Sequence, residues 1–124
     1  MDNLKIAKTK HTMEVDFDKD TGILEMSGSS YPENAIDFFG PVINWIKDYI
    51  SQVKNQILLN LRINYLNTSS TKCILDILEI LEQYHQTQGD VKVNWYYAED
   101  DEDIKETGEE LGEDIDLPIS FISY

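Results

Sequence analysis

Apolar residues recur along this chain in two rhythms, every second position in some stretches and every third or fourth in others. The first is the period of a strand with one face buried and the second that of an amphipathic helix. Leu4-Lys5-Ile6 suits a short edge strand, and Thr12–Asp18 sets Met13, Val15 and Phe17 on alternate positions. Lys19-Asp20-Thr21-Gly22 is a turn, after which Ile23–Gly28 runs back as the second arm of a hairpin. Ser29-Ser30-Tyr31-Pro32-Glu33-Asn34 then announces a helix: Ser and Asn are capping residues, Pro is tolerated in a first turn, and Glu suits the positive end of the helix dipole. That helix is predicted to carry Ile36, Phe39, Ile43, Ile46 and Ile50 on one face and to end near Val53. Gly40-Pro41 sits inside it, and the ring of Pro41 predicts a kink or short break.

Ile57–Tyr65 alternates again, with Ile57, Leu59, Leu61 and Ile63 on one side, and reads as a central strand. A second helix follows, with Ile74, Ile77, Leu78, Leu81 and Tyr84 at helical spacing up to a Gly89-Asp90 stop. Val91, Val93 and Trp95 form another strand, Ile104 and Leu111 anchor a weakly amphipathic third helix, and Pro118–Ile122 closes as a short strand. Strands alternating with helices through the second half predict an α/β layer with parallel pairing. No linker or repeat divides the 124 residues, a length suited to one domain.

Composition narrows the function. Ten basic against 24 acidic residues give a net charge of −14. That balance repels nucleic acid and anionic lipid, which are held through cationic side chains. No apolar run reaches the ~20 residues of a membrane span, and the start lacks the basic-then-apolar pattern of a secretory leader, so a cytoplasmic home is expected. Between Glu99 and Asp116, eleven acids face one lysine, a net of −10. Either a solvated acidic helix or a partner with a basic face accounts for that segment.

Reaction chemistry finds little purchase. His11 and His85 are isolated and Cys73 is the only cysteine, so no transition-metal spacing exists. The run Asp100-Asp101-Glu102-Asp103 lacks the spaced ligands and central Gly of a calcium loop. Neither Ser69 nor Ser70 lies in a nucleophile elbow, and Cys73 reads as a small core residue of the second helix. Neither a cofactor nor an enzymatic activity is expected.

One stretch stands apart. Asn67-Thr68-Ser69-Ser70-Thr71-Lys72 puts four hydroxyls in a row where the second helix must begin. The first N–H groups of a helix lack partners within it and carry the positive dipole end, so a phosphate there meets waiting donors. Plain capping by Asn67 or Thr68 accounts for one of these residues, and a modification or ligand role is the other reading for the cluster.

Ser30-Tyr31-Pro32-Glu33-Asn34, Tyr65-Leu66-Asn67-Thr68-Ser69-Ser70 with Lys72, and Leu75-Asp76-Ile77-Leu78 together resemble the SiaC family of bacterial regulatory phosphoproteins. The resemblance implies a single STAS-like domain over residues 1–124, with the mixed sheet and packed helices of anti-sigma-factor antagonists. It implies a protein switched by a Ser/Thr kinase and a PP2C-like phosphatase. Its unphosphorylated form would bind and activate a diguanylate cyclase, raising cyclic di-GMP and favouring biofilm. The family's phosphoacceptor falls on Thr68; Asn67, Ser69 and Ser70 share its motif, and Tyr31, Pro32, Glu33 and Asn34 form a second signature. A STAS-like module sensing a small anion or nucleotide is the alternative.

Overall fold

Six strands lie side by side in chain order in a single sheet. The computed structural model describes residues 1–124. Strands β1 (Leu4–Ile6), β2 (Glu14–Phe17) and β3 (Ile23–Ser30) form an antiparallel meander. From β3 onward every neighbour is parallel: β4 (Ile57–Leu66), β5 (Val91–Tyr97) and β6 (Ile119–Ser123). Parallel neighbours need a crossover, and α1 (Ala35–Gln52), α2 (Thr68–Thr87) and α3 (Glu102–Gly112) supply the three. The mixed sheet, the central place of β4 and the edge place of β1 match the sequence-based expectation.

The core is one layer between helices and sheet. Leu24 and Met26 of β3 pair with Leu59 and Leu61 of β4, which pair with Val93 and Trp95 of β5, and all six are buried. The intervening residues Glu25, Arg62 and Lys92 are exposed, so only one face of the sheet is covered. This explains why parallel strands here alternate in polarity instead of reading as unbroken apolar runs. Asn94 donates to Asn60 at 3.0 Å across the open face, and the Arg62 guanidinium lies 4.2 Å from the centre of the Tyr96 ring.

Helix α2 buries all five apolar residues predicted for it, and Cys73 with them. Burial, and secondarily the charge of Asp76, raises the Cys73 thiol pKa, while Lys72 opposes the shift. Helix α1 departs from expectation in three ways. It starts at Ala35, so Pro32 lies in the preceding loop and not in the first turn. It runs unbroken through Pro41. The residue before a proline resists helical geometry largely because its Cβ meets the proline ring, and Gly40 has no Cβ. Finally, Ile36 points outward at 53% exposure, although Phe39, Ile43 and Ile46 are buried as predicted.

Helix α3 packs closely because Gly108 faces the Trp95 indole, whose Nε1 donates to the Ile104 carbonyl at 3.1 Å. A methyl at Gly108 would lie 2.5 Å from the ring. Helix propensity favours Ala over Gly by about 1 kcal/mol, but overpacking costs about 1–3 kcal/mol, so the clash outweighs it. Gly108→Ala is therefore expected to lower the urea midpoint and to expose Trp95, read as a fluorescence red shift. An unchanged or raised midpoint would show that α3 can ride away from the sheet at no cost.

Candidate functional site

Strands β3 and β4 run parallel and adjacent, so the helices that follow them begin at the same end of the sheet. Their starts interlock. Asn67 is the N-cap of α2, in extended backbone, and its Oδ1 accepts from the Ser70 N–H at 2.8 Å. Its Nδ2 donates to the Tyr31 carbonyl at 2.7 Å and to the Pro32 carbonyl at 2.9 Å. Its backbone N–H reaches the Ser30 carbonyl at 3.1 Å. One side chain thus caps α2 and latches the loop leading into α1.

The hydroxyls of the run divide by role. Ser69 Oγ accepts from the Ala35 N–H at 3.2 Å, supplying from α2 a cap that α1 lacks, since Asn34 makes no capping bond and instead donates to Asp37 at 3.1 Å. Ser70, fully buried, shares a 2.7 Å hydrogen bond with the equally buried Ser30. Thr71 donates back to the Asn67 carbonyl at 2.9 Å. Three of the four hydroxyls are therefore structural, and the run as a whole does not mark chemistry. Thr68 is the remainder: it is the first residue of α2, exposed, with no side-chain hydrogen bond inside the chain.

The second signature lies alongside. Tyr31, Glu33 and Asn34 are exposed and Pro32 is half-buried. The Tyr31 ring stacks on Tyr65 with centres 4.9 Å apart, and His11 meets Tyr31 edge-on at 6.1 Å. Lys72, one turn beyond Thr68, projects into solvent with its Nζ 4.0 Å from the Asp76 carboxylate, a pair too open to stabilise much. Sequence reading missed the stack, the Ser69 cap and the part of Ser30, because each joins residues more than thirty positions apart. The only signal available was the presence of Tyr31 and Tyr65 within the two signatures.

Electrostatics follow from the same geometry. Both helix starts point their unpaired N–H groups and positive dipole ends to one end of the sheet. The first turn of α2 carries no acid, and α1 has only Asp37 there. No helix is long and apolar enough to cross a membrane.

Known proteins place this arrangement. The model of the SiaC family regulatory phosphoprotein matches residues 6–124. An uncharacterized protein of Pseudomonas aeruginosa strain UCBPP-PA14 is 39% identical over all of this chain and 98% of its own length. The structure of SiaC of Pseudomonas aeruginosa superposes with a TM-score of 0.92 at 37% identity, covering all of both chains. A crystal structure of the diguanylate cyclase SiaD in complex with its activator SiaC, also from Pseudomonas aeruginosa, matches with a TM-score of 0.92 at 38% identity, over 98% of this chain and 99% of that one. The chain belongs to the SiaC family of regulatory phosphoproteins.

Proposed function

We propose that this chain is a cytoplasmic, non-enzymatic switch working as one unit over residues 1–124, in which the phosphorylation state of Thr68 governs docking on a diguanylate cyclase. A Ser/Thr kinase adds the phosphate and a PP2C-like phosphatase removes it. The bare protein activates the cyclase, raising cyclic di-GMP and promoting biofilm. The related SiaC is the activator of the diguanylate cyclase SiaD in their complex. The observation that carries the reading is the isolation of Thr68: exposed at a helix start, while its three neighbours' hydroxyls are engaged within the fold.

Magnitudes favour a docking switch over a refolding one. A phosphate at an exposed helix start gains about 0.3–1 kcal/mol from the dipole, and about 2 when partly buried. Against a domain stability of about 5–15 kcal/mol, that remodels nothing. Burying a group of charge about −2 in an interface without a matched cation costs several kcal/mol. Each ~1.4 kcal/mol is tenfold in affinity, so one phosphate releases a partner. Asn67, Ser69 and Ser70 then hold the face in shape, and Tyr31, Pro32, Glu33, Asn34 and Lys72 border it. Sensing of a free anion or nucleotide draws less support. The parallel strands β3 to β6 never reverse their order, so the crevice that such ligands occupy at a topological switch point is not built.

Incubation with the cognate kinase and ATP should place a single phosphate on Thr68, read by mass spectrometry, and Thr68→Ala should abolish it. Phosphate on Ser69 or Thr71 instead would refute the assignment. The two adjacent residues should also separate in stability. Thr68→Ala is expected to shift the unfolding free energy by less than about 0.5 kcal/mol. Asn67→Ala should cost about 1–3 kcal/mol, losing the cap and stranding two carbonyls, with Tm falling by several degrees in calorimetry.

A further inference from the structure

The aromatic stack and the lysines beside it are not used by the Thr68 argument, yet they adjoin it. Tyr31 and Tyr65 are 47% and 45% exposed although stacked on each other, an uncommon display for two large rings. They sit beside Thr68. Asn67, its chain neighbour, holds the Tyr31 carbonyl, and Tyr65 precedes Thr68 by three residues, a chain span of at most about 10 Å. A standard docking patch of about 800 Å² per partner covers all of these groups.

Charge makes the patch unusual for this molecule. Lys5, Lys8 and Lys10 fall between Asp2 and Glu14 with no acid among them, in a chain of net charge −14. This segment is tied to the stack: the Tyr31 N–H donates to the His11 carbonyl at 3.0 Å, and the His11 ring meets Tyr31 edge-on. The Lys8 stem lies over Gly28, which adopts φ 110° where the β3–β4 register shifts, a left-handed conformation suited to glycine. A Cβ at Gly28 would sit 3.3 Å from Lys8 Cε, so the strand's missing side chain gives the lysine stem its seat. Glu33, two residues beyond Tyr31, and Asp37, in the first turn of α1, follow the stack along the chain.

We propose that Tyr31 and Tyr65, flanked by His11, Lys8 and Lys10 and reaching Thr68, form the anchor of the docking surface, and that its occupant is an acidic protein segment with an apolar face. The proposal rests on the switch reading above and names the partner's chemistry. Exposed aromatic rings are the side chains that most often dominate interface energy. Lysines at the rim select sign and speed encounter. A phosphate of charge about −2 at Thr68 then repels the acids that the lysines attract, so release follows from charge as well as from desolvation.

The test titrates the unphosphorylated full chain with its cognate diguanylate cyclase at low and high salt. Tyr31→Ser and Tyr65→Ser are each expected to weaken binding about tenfold or more, while Tyr31→Phe, which keeps the ring, binds as wild type. The double variant Lys8→Glu/Lys10→Glu should lose severalfold at low salt, with the loss shrinking at high salt as the charges are screened. Lys92→Glu, exposed on the open face of β5 away from this end, is the control and should change nothing. Unchanged binding by the tyrosine variants, or tighter binding by the lysine double variant, would overturn the proposal. Neither result would touch the switch reading, which is lost instead if Thr68→Glu binds as tightly as wild type in the same titration.

Discussion

The amide of Asn67 is engaged at both ends, and the adjoining starts of α1 and α2 are tied together through it. Its oxygen closes the first turn of α2, and its nitrogen holds the Tyr31 and Pro32 carbonyls. The second pair of bonds adds to the Asn67 N–H and Ser70 contacts with Ser30 in holding the loop from Ser30 to Asn34 against α2. In that arrangement Ser69 reaches the Ala35 N–H and caps α1, which has no side-chain cap of its own. A helix whose cap comes from another helix loses about 0.5–2 kcal/mol at its first turn when the two separate. The two starts are therefore one cooperative unit.

Two positive dipole ends side by side repel, and each leaves N–H groups that burial would penalise. The start of α2 answers with short neutral side chains, while α1 carries Asp37 in its first turn. The Ser30–Ser70 bond lies fully inside the core, where a hydroxyl left without a partner would cost about 1–3 kcal/mol. Serine fits there because it is small enough for β3 and α2 to approach. Each hydroxyl so used is removed from chemistry. Thr68, on the outward side of the same turn, is left with its hydroxyl free and the start of α2, which no acid in its first turn neutralises, beside it.

Much of the fold was legible in the residues. Alternation in Val15-Asp16-Phe17, in Ile57 through Ile63 and in Val91 through Trp95 reports burial on one face, and burial is what period records. The same logic failed at Ile36, which shares the helical phase of its neighbours but lies at the exposed rim of α1. At Pro41 the expected break is absent, since α1 continues through it and Gly40 spares the ring its clash with a preceding Cβ. The site was legible only as a motif. Periodicity describes one element at a time, and the bonds that define this site join Asn67 to Tyr31, Ser69 to Ala35 and Ser70 to Ser30. No spacing rule couples residues so distant, so four adjacent hydroxyls looked equivalent until the partners of three were in place.

The acidity of the chain bears on how so small a change as one phosphate can be read. Added to a net charge of −14, two more negative charges alter the far field little. At physiological ionic strength exposed charges interact over about 8 Å, so only the groups near Thr68 register the change. Those groups are two helix starts, the loop Tyr31–Asn34 and Lys72 one turn away. The acids of the 99–116 segment begin just after β5, which runs parallel to β4, so the first of them reach the same end of the sheet, while the first turn of α2 carries none of its own. Only the first turn of α2 is free of acid, with exposed Glu33 and Asp37 at the start of α1, so a phosphate on Thr68 would change the sign of that turn alone. Under the proposed switch, that local change, confined by screening to about 8 Å, is what a docked partner would register.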